Sequence, residues 1–202
     1  MAGIPSCVMS LAAGMPFPKI AGSYDGPLLI VGSGRCVWDD LAGWNDDIDT
    51  LCVNAMISHF PNRVTHGYSN HADKTSHFIT ARCEKLKKRD PNAIHSHSFQ
   101  HNRAGSKWSW PWPGHGSSGM SAVLTGIGLG YTKILVAGMP LDNTGHFYDP
   151  PVDHALHGGK GPPSNFLNEA DDVHWQNMCN RVFQNCNVKF FSGRAAKWLG
   201  TP

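Results

Sequence analysis

An α/β fold built on a mostly parallel sheet is what the sequence predicts, and three observations carry the prediction. Leu28-Leu29-Ile30-Val31 is an unbroken apolar run between Gly26-Pro27 and Gly32, the pattern of a strand covered on both faces. Met120, Val123, Leu124 and Ile127 fall at i, i+3, i+4 and i+7 and lead through Gly128-Leu129-Gly130-Tyr131 into Lys133–Ala137, a helix-then-strand unit of the kind that builds parallel sheets. Strand-like and helix-like segments alternate along the rest of the chain.

Residues 1–26 are rich in Gly, Pro and small side chains without sustained periodicity, and are expected to form an N-terminal arm lying on one domain that spans 27–202. After the first strand, Trp38 to Trp44 reads as a short helix with Asp39 and Asp40 near its positive end. Thr50–Val53 reads as a second buried strand ending at Asn54, and Arg63–His66 as a third ending near Tyr68, with one helical turn between them. Residues 73–89 carry a helix whose Lys85, Lys87, Lys88 and Arg89 suit its C-terminus and form a solvated face, and 93–98 reads as another strand. Residues 100–117, crowded with Gly, Pro and Trp, are expected to be a long loop. The helix that follows has Ser117 or Ser118 as its cap. A second Pro/Gly-rich loop covers 149–168. A last helix over about 171–185 puts Trp175, Cys179, Val182 and Cys186 on one stripe, and 188–191 closes the sheet. Together these elements describe a Rossmann-like three-layer sandwich.

At 202 residues the chain is long enough to bury roughly 70% of its unfolded surface. With 17 Lys plus Arg against 15 Asp plus Glu, it has no charge bias toward nucleic acid, so nucleic acid is not indicated as a partner. No run approaches the ~20 apolar residues of a membrane span, and no basic segment precedes the mildly apolar residues 8–15, so no signal peptide is expected. The six cysteines lack a Cys-x-x-Cys pair, which points to a reduced, cytoplasmic setting, with Cys179 and Cys186 as core residues. Twelve histidines prompt a search for clusters, but His71, His115, His146, His154 and His157 lack metal-ligand spacing, so no metal is expected. Homo-oligomerisation stays open.

In an alternating α/β sheet, ligands bind beyond the carboxyl ends of the strands. Gly32-Ser33-Gly34 stands after the first strand, Asn54 after the second, Tyr68-Ser69-Asn70-His71 after the third, and Gly138-Met139-Pro140-Leu141-Asp142 after the strand that follows the clear helix. The glycines either let the backbone approach a phosphate or ribose or simply make a tight turn. The third glycine of a dinucleotide fingerprint would fall at Val37, which argues against NAD, and a Walker Gly-Lys-Ser/Thr is absent. Ser117, Ser118 and Gly119 at a helix N-terminus make an anion site or a plain cap. Asp142 accepts from ribose hydroxyls or orders its own loop. His146 lies close behind it, and His154 and His157 in the second loop are candidate general bases. Trp108, Trp110 and Trp112 offer flat faces to a sugar or base, or pack as a lid on the sheet.

The pieces LLIVGSGRCVWDDL (28–41), CVNAM (52–56), GSSGMSAVLTGIGLGYTKILVAGMPLD (116–142) and VKFFSG (188–193) resemble, in the same order, the Rossmann-like bacterial sialyltransferase-type glycosyltransferases and related phage and prophage proteins. The resemblance implies a metal-independent glycosyltransferase-like enzyme, active on a nucleotide-sugar donor of the CMP-sugar kind and a hydroxyl acceptor, with no separate cofactor. It assigns Gly32, Ser33, Gly34, Asn54, Ser117, Ser118, Gly119 and Asp142 to the nucleotide and His154 or His157 to the base. The chain departs from the family pattern at Ser33, where Asn is usual, and at Ala55, where a polar residue is usual. Archaeal pterin diphosphokinases share the early glycine turn, so a diphosphokinase relative and a non-catalytic nucleotide-binding or nucleotide-sequestering phage protein are the alternatives.

Overall fold

The computed structural model describes residues 4–12, 14–98, 108–112, 117–142, 144–149 and 169–202. Strands β1 (Pro27–Val31), β2 (Asp49–Val53), β3 (His66–Tyr68), β4 (Ile94–Ser98), β5 (Trp108–Trp110), β6 (Lys133–Ala137) and β7 (Val188–Phe190) form one sheet in the order β5-β4-β3-β2-β1-β6-β7. Each neighbouring pair is parallel, with Val31 opposite Cys52 on one side and Ala137 on the other. The order reverses between β1 and β6. This is the α/β class that the sequence predicts.

Period-two alternation splits the strand side chains between two cores. Leu28, Ile30, Leu51, Val53, Ile134 and Val136 face one side, with α1 (Ser6–Met9), α5 (Ser118–Leu129), α6 (Glu169–Arg181) and α7 (Gly193–Leu199). Leu29, Val31, Cys52, Leu135 and Ala137 face the other, with α2 (Val37–Asp40), α3 (Met56–His59) and α4 (Thr75–Leu86). The three layers of a Rossmann-like sandwich follow from that alternation.

Several elements differ from their sequence-based expectation. The third strand begins at His66 rather than Arg63, because the preceding residues are drawn onto β2: the Thr50 hydroxyl donates to the Arg63 carbonyl (2.5 Å) and the Thr65 hydroxyl to Asp49 Oδ1 (3.0 Å). α2 stops at Asp40, three residues before Gly43 at φ +77°. The expected long loop contains β5, whose Trp110 is fully buried and stacks on Trp112 at 5.5 Å while Phe17 edges against both. Trp110 and Trp112 therefore pack as structural aromatics rather than as exposed platforms. The last helix ends at Arg181, a 3-10 turn at Phe183–Asn185 follows, and α7 extends the fold beyond the last expected strand. Before β1, Val8 and Ala12 are buried, and the Gly22 and Tyr24 N–H groups donate to the carbonyls of Gly128 and Leu129 (2.9 Å each). Cys179 and Cys186 are core residues.

Candidate functional site

The loops at the carboxyl ends of β1 and β6 meet at the point where the strand order reverses. Gly32 N–H donates to the Ala137 carbonyl and Gly34 N–H to the Gly138 carbonyl (2.8 Å each). A Cβ on Gly32 would lie 2.6 Å from the Gly138 carbonyl oxygen, and one on Gly34 2.5 Å from Pro140 Cδ. Glycine is required here because two backbones cross in contact. The two glycine N–H groups are consequently used inside the protein rather than presented to a ligand. On the other side of the turn, Gly34 forms an isolated antiparallel bridge with His146, and Phe147 N–H donates to the Ser33 carbonyl (3.0 Å).

A cleft of about 880 Å³ opens over this junction. All eight residues read from the sequence as nucleotide-contacting line it: Gly32, Ser33, Gly34, Asn54, Ser117, Ser118, Gly119 and Asp142. The topology explains the convergence. A strand's carboxyl end and the N-terminus of the helix that follows it lie on the same edge of a parallel sheet, so α5 starts beside the ends of β1, β2 and β6.

Each group is held in a defined way. Asn54 sits at φ +52°, a left-handed conformation that Asn tolerates better than most residues. Its Oδ1 accepts from the Ser69 hydroxyl (2.8 Å), and its amide NH₂ has no partner among the described residues. Ser117 is the N-cap of α5, its hydroxyl accepting from Met120 N–H (3.3 Å), and the first intrahelical bond runs from Ser121 N–H to the Ser117 carbonyl. The Ser118 and Gly119 N–H groups precede that bond and stand at the positive end of the helix dipole. Asp142 Oδ1 accepts from both the backbone N–H (3.0 Å) and the hydroxyl (2.6 Å) of Thr144, so this carboxylate orders its own loop, while Oδ2 has no partner among the described residues.

Other residues of the cleft escaped sequence reasoning as site members: Lys74, His77, Tyr148 and Trp175. His71, in the segment after the third strand, and His146, close behind Asp142, are among the residues that the sequence singles out, and both line the cleft. His146 Nδ1 and the Ser33 hydroxyl are hydrogen-bonded at 2.8 Å, and the imidazole stacks on Tyr148 at 5.0 Å. Burial raises the Tyr148 phenol above its ordinary value, with the Asp149 charge adding to the effect and a Ser33 hydrogen bond opposing it. Lys74 and His77 follow His71 at steps of three, a helical spacing just past a strand end that was legible; Trp175 comes from α6, far along the chain, and no local signal connects it. Burial likewise pushes the thiol of Cys36, just behind the turn, up to about 12, with a hydrogen bond from Ser192 opposing the shift. Among the described residues no three His, Cys, Asp or Glu side chains are grouped to hold a metal ion, and no helix is long and apolar enough to cross a membrane. His154 and His157 lie outside the described residues, as do His115 and most of the second long loop.

The fold and crevice define a Rossmann-like α/β protein with its cleft at the switch point. Among solved structures, the chain is similar to the sialyltransferase CstII from Campylobacter jejuni in complex with cytidine-5′-monophosphate, at TM-score 0.57 and 11% identity over 87% of this chain and 84% of that one. It is similar also to a CstII variant in complex with CMP (TM-score 0.56, 11% identity, 87% and 85% covered) and to CstII with the substrate analogue CMP-3FNeuAc (TM-score 0.54, 11% identity, 87% and 85% covered). The chain thus has the fold of these Rossmann-like bacterial glycosyltransferases. No protein-family model and no curated protein sequence matches it.

Proposed function

We propose that this chain is a glycosyltransferase-like enzyme that binds a nucleotide sugar of the CMP-sugar kind in the switch-point cleft and transfers the glycosyl group to a hydroxyl acceptor without a metal. The observation that carries the reading is the convergence of the turn after β1, Asn54, the start of α5 and Asp142 on one cleft of about 880 Å³, large enough for a nucleotide. The likeness of fold to structures in complex with CMP supports the same reading.

In this mechanism the donor phosphate lies at the α5 N-terminus, where the Ser118 and Gly119 N–H groups and the helix dipole stabilise the charge that grows on the leaving CMP. The Asn54 amide and Asp142 Oδ2, each with hydrogen-bonding capacity left over, hold the nucleoside. The acceptor oxygen bonds to the anomeric carbon as the bond from that carbon to the phosphate oxygen breaks. His154 or His157 takes the acceptor's proton.

Two measurements test this. Saturating CMP should stabilise the protein by about 2.7 kcal/mol at a hundredfold excess over Kd, read as a rise in Tm. Release of CMP from a CMP-sugar should then be lost in either His154→Ala or His157→Ala. Stabilisation by CMP with no release from any common nucleotide sugar would leave a nucleotide-binding protein without transfer activity. No stabilisation and no release would overturn the reading altogether.

A further inference from the structure

The six cysteines are free thiols, and the fold brings two of them, Cys7 and Cys186, together from opposite ends of the chain. Cys7 lies in α1, a single turn held by the Pro5 carbonyl, which accepts from the N–H groups of Val8 and Met9 (3.0 Å each). Val8 is fully buried and anchors that turn in the core shared with α5 and α6, so that Cys7 packs half-buried against the same core. Cys186 is a buried member of it, placed directly after the 3-10 turn at Phe183–Asn185 with its N–H donating to the Phe183 carbonyl (3.0 Å). The two thiols are hydrogen-bonded to each other. Burial pushes the Cys186 thiol up to about 12, and its contact with Cys7 adds to the shift.

The remaining cysteines are held differently. Cys36 Sγ donates to Asp40 Oδ2 and accepts from the Ser192 hydroxyl (3.3 Å each). Cys52 is fully buried in the opposite core, near Arg82 and Asp90, and Cys83 belongs to α4 on that same side of the sheet. Cys179 is fully buried. A half-buried sulfur touching a buried one is the arrangement of an oxidisable thiol with a second thiol in place to resolve it.

We propose that Cys7 and Cys186 form an oxidation site at which hydrogen peroxide converts the two thiols to a disulfide that staples the segment before β1 to the core. Cys7, the more accessible of the two, loses its proton and attacks one peroxide oxygen; the O–O bond breaks, hydroxide leaves and takes up that proton as water, and Cys7 becomes a sulfenic acid. The Cys186 sulfur then displaces the hydroxyl from Cys7. The S–S bond forms and a second water leaves with the Cys186 proton, so each sulfur gives one electron and the peroxide accepts two. The closed loop takes in nearly the whole chain, which maximises the loss of freedom imposed on the unfolded state.

The test needs no nucleotide and stands apart from the donor reading. The full chain is reduced, treated with hydrogen peroxide at graded excess, and digested without reductant for peptide mass spectrometry. A Cys7–Cys186 linkage is expected, reversible by dithiothreitol, with a Tm about 5–10 °C above that of the reduced protein. Cys7→Ser changes a half-buried position and should fold normally, yet lose both the linkage and the rise in Tm. Cys186→Ala should leave Cys7 to proceed to sulfinic acid. A wild-type Cys7 that itself ends as sulfinic acid, a linkage of either sulfur to another cysteine, or no linkage at all would overturn the oxidation site. A Cys7–Cys186 disulfide that leaves Tm unchanged would overturn the staple.

Discussion

Arg82 is fully enclosed where α3, α4 and the loop before β3 meet. Its Nε donates to Asp90 Oδ2 at 2.5 Å, and its Nη groups reach the carbonyls of Ile57 (3.4 Å), Phe60 (2.5 Å) and Asn62 (2.6 Å). A planar guanidinium is suited to this, because its donors diverge in fixed directions toward several acceptors at once. Replacing it leaves a carboxylate that is largely buried and three carbonyls to find other partners. Arg82→Met should cost about 3–5 kcal/mol of stability, measured by urea unfolding, whereas Lys85→Met on the charged C-terminal half of the same helix should change it by less than about 0.5 kcal/mol. In the sequence, Arg82 looks like one more member of the basic stretch that ends at Arg89. Its distinction is burial, which depends on where α3 lies. Asn54 shows the opposite case: its position after a strand singled it out as a candidate, and the structure adds only the left-handed backbone and the bond to Ser69.

Element-level behaviour centres on α5, in which every residue from Met120 to Leu129 is buried. The i, i+3, i+4, i+7 pattern and the Ser117 cap made this helix legible, but an amphipathic pattern does not announce a helix enclosed on all sides. What surrounds it comes from elsewhere: the sheet below, Trp110 and Trp112, and the residues before β1. Gly128 records that enclosure. By helix propensity alone, Gly128→Ala should stabilise by about 0.5–1 kcal/mol. Its Cβ would, however, stand 2.6 Å from Trp110 Cζ3 and 3.1 Å from Trp112 Cζ2, in a stack with no open side. Overpacking of that kind costs about 1–3 kcal/mol, so the expected net effect is a loss of about 1 kcal/mol, visible as a lower urea midpoint at constant m-value. A gain in stability would mean that the Trp110–Trp112 stack moves aside freely.

For the whole molecule, the pole opposite the cleft holds a buried polar network. Tyr131 OH donates to Asp49 Oδ2 (2.7 Å), so His66 Nε2–H donates to the Tyr131 oxygen (2.8 Å), and Tyr24 stacks on Tyr131 at 5.2 Å. Nε2–H is present in either protonation state, but Nδ1 is buried with no partner among the described residues, so neutral imidazole avoids a buried, unpaired N–H there. Burial lowers the His66 pKa from 6.5 to about 4, with the nearby Asp49 charge opposing the shift. The depressed value means that the unfolded chain binds this proton more tightly than the folded one. The corresponding stability is therefore complete above pH 6.5 and is lost as pH falls toward 4, by an amount on the order of 3 kcal/mol. Burial shifts His95 in the same direction. Tm should fall between pH 6.5 and 4, and His66→Gln should flatten that slope; an equal slope in the variant would assign the acid sensitivity to other groups.

By itself the sequence determined the α/β class, the strands at 28–31, 50–53 and 133–137, the capped helix before β6, and the residues that follow the strands at the carboxyl edge of the sheet. These are local properties: apolar runs, helical periodicity and capping chemistry operate over a few residues and can be read along the chain. Tertiary structure alone decided that β1 and β6 are neighbours, that the turn glycines answer to a crossing backbone rather than presenting their N–H groups, that β5 and α7 exist, and that Lys74, His77 and Trp175 share a cleft with Asp142. Those outcomes depend on strand order and on which layer covers each face, and no window of sequence encodes either, because the contacts that create them join separate segments of the chain, as where Leu28 of β1 lies opposite Ile134 of β6.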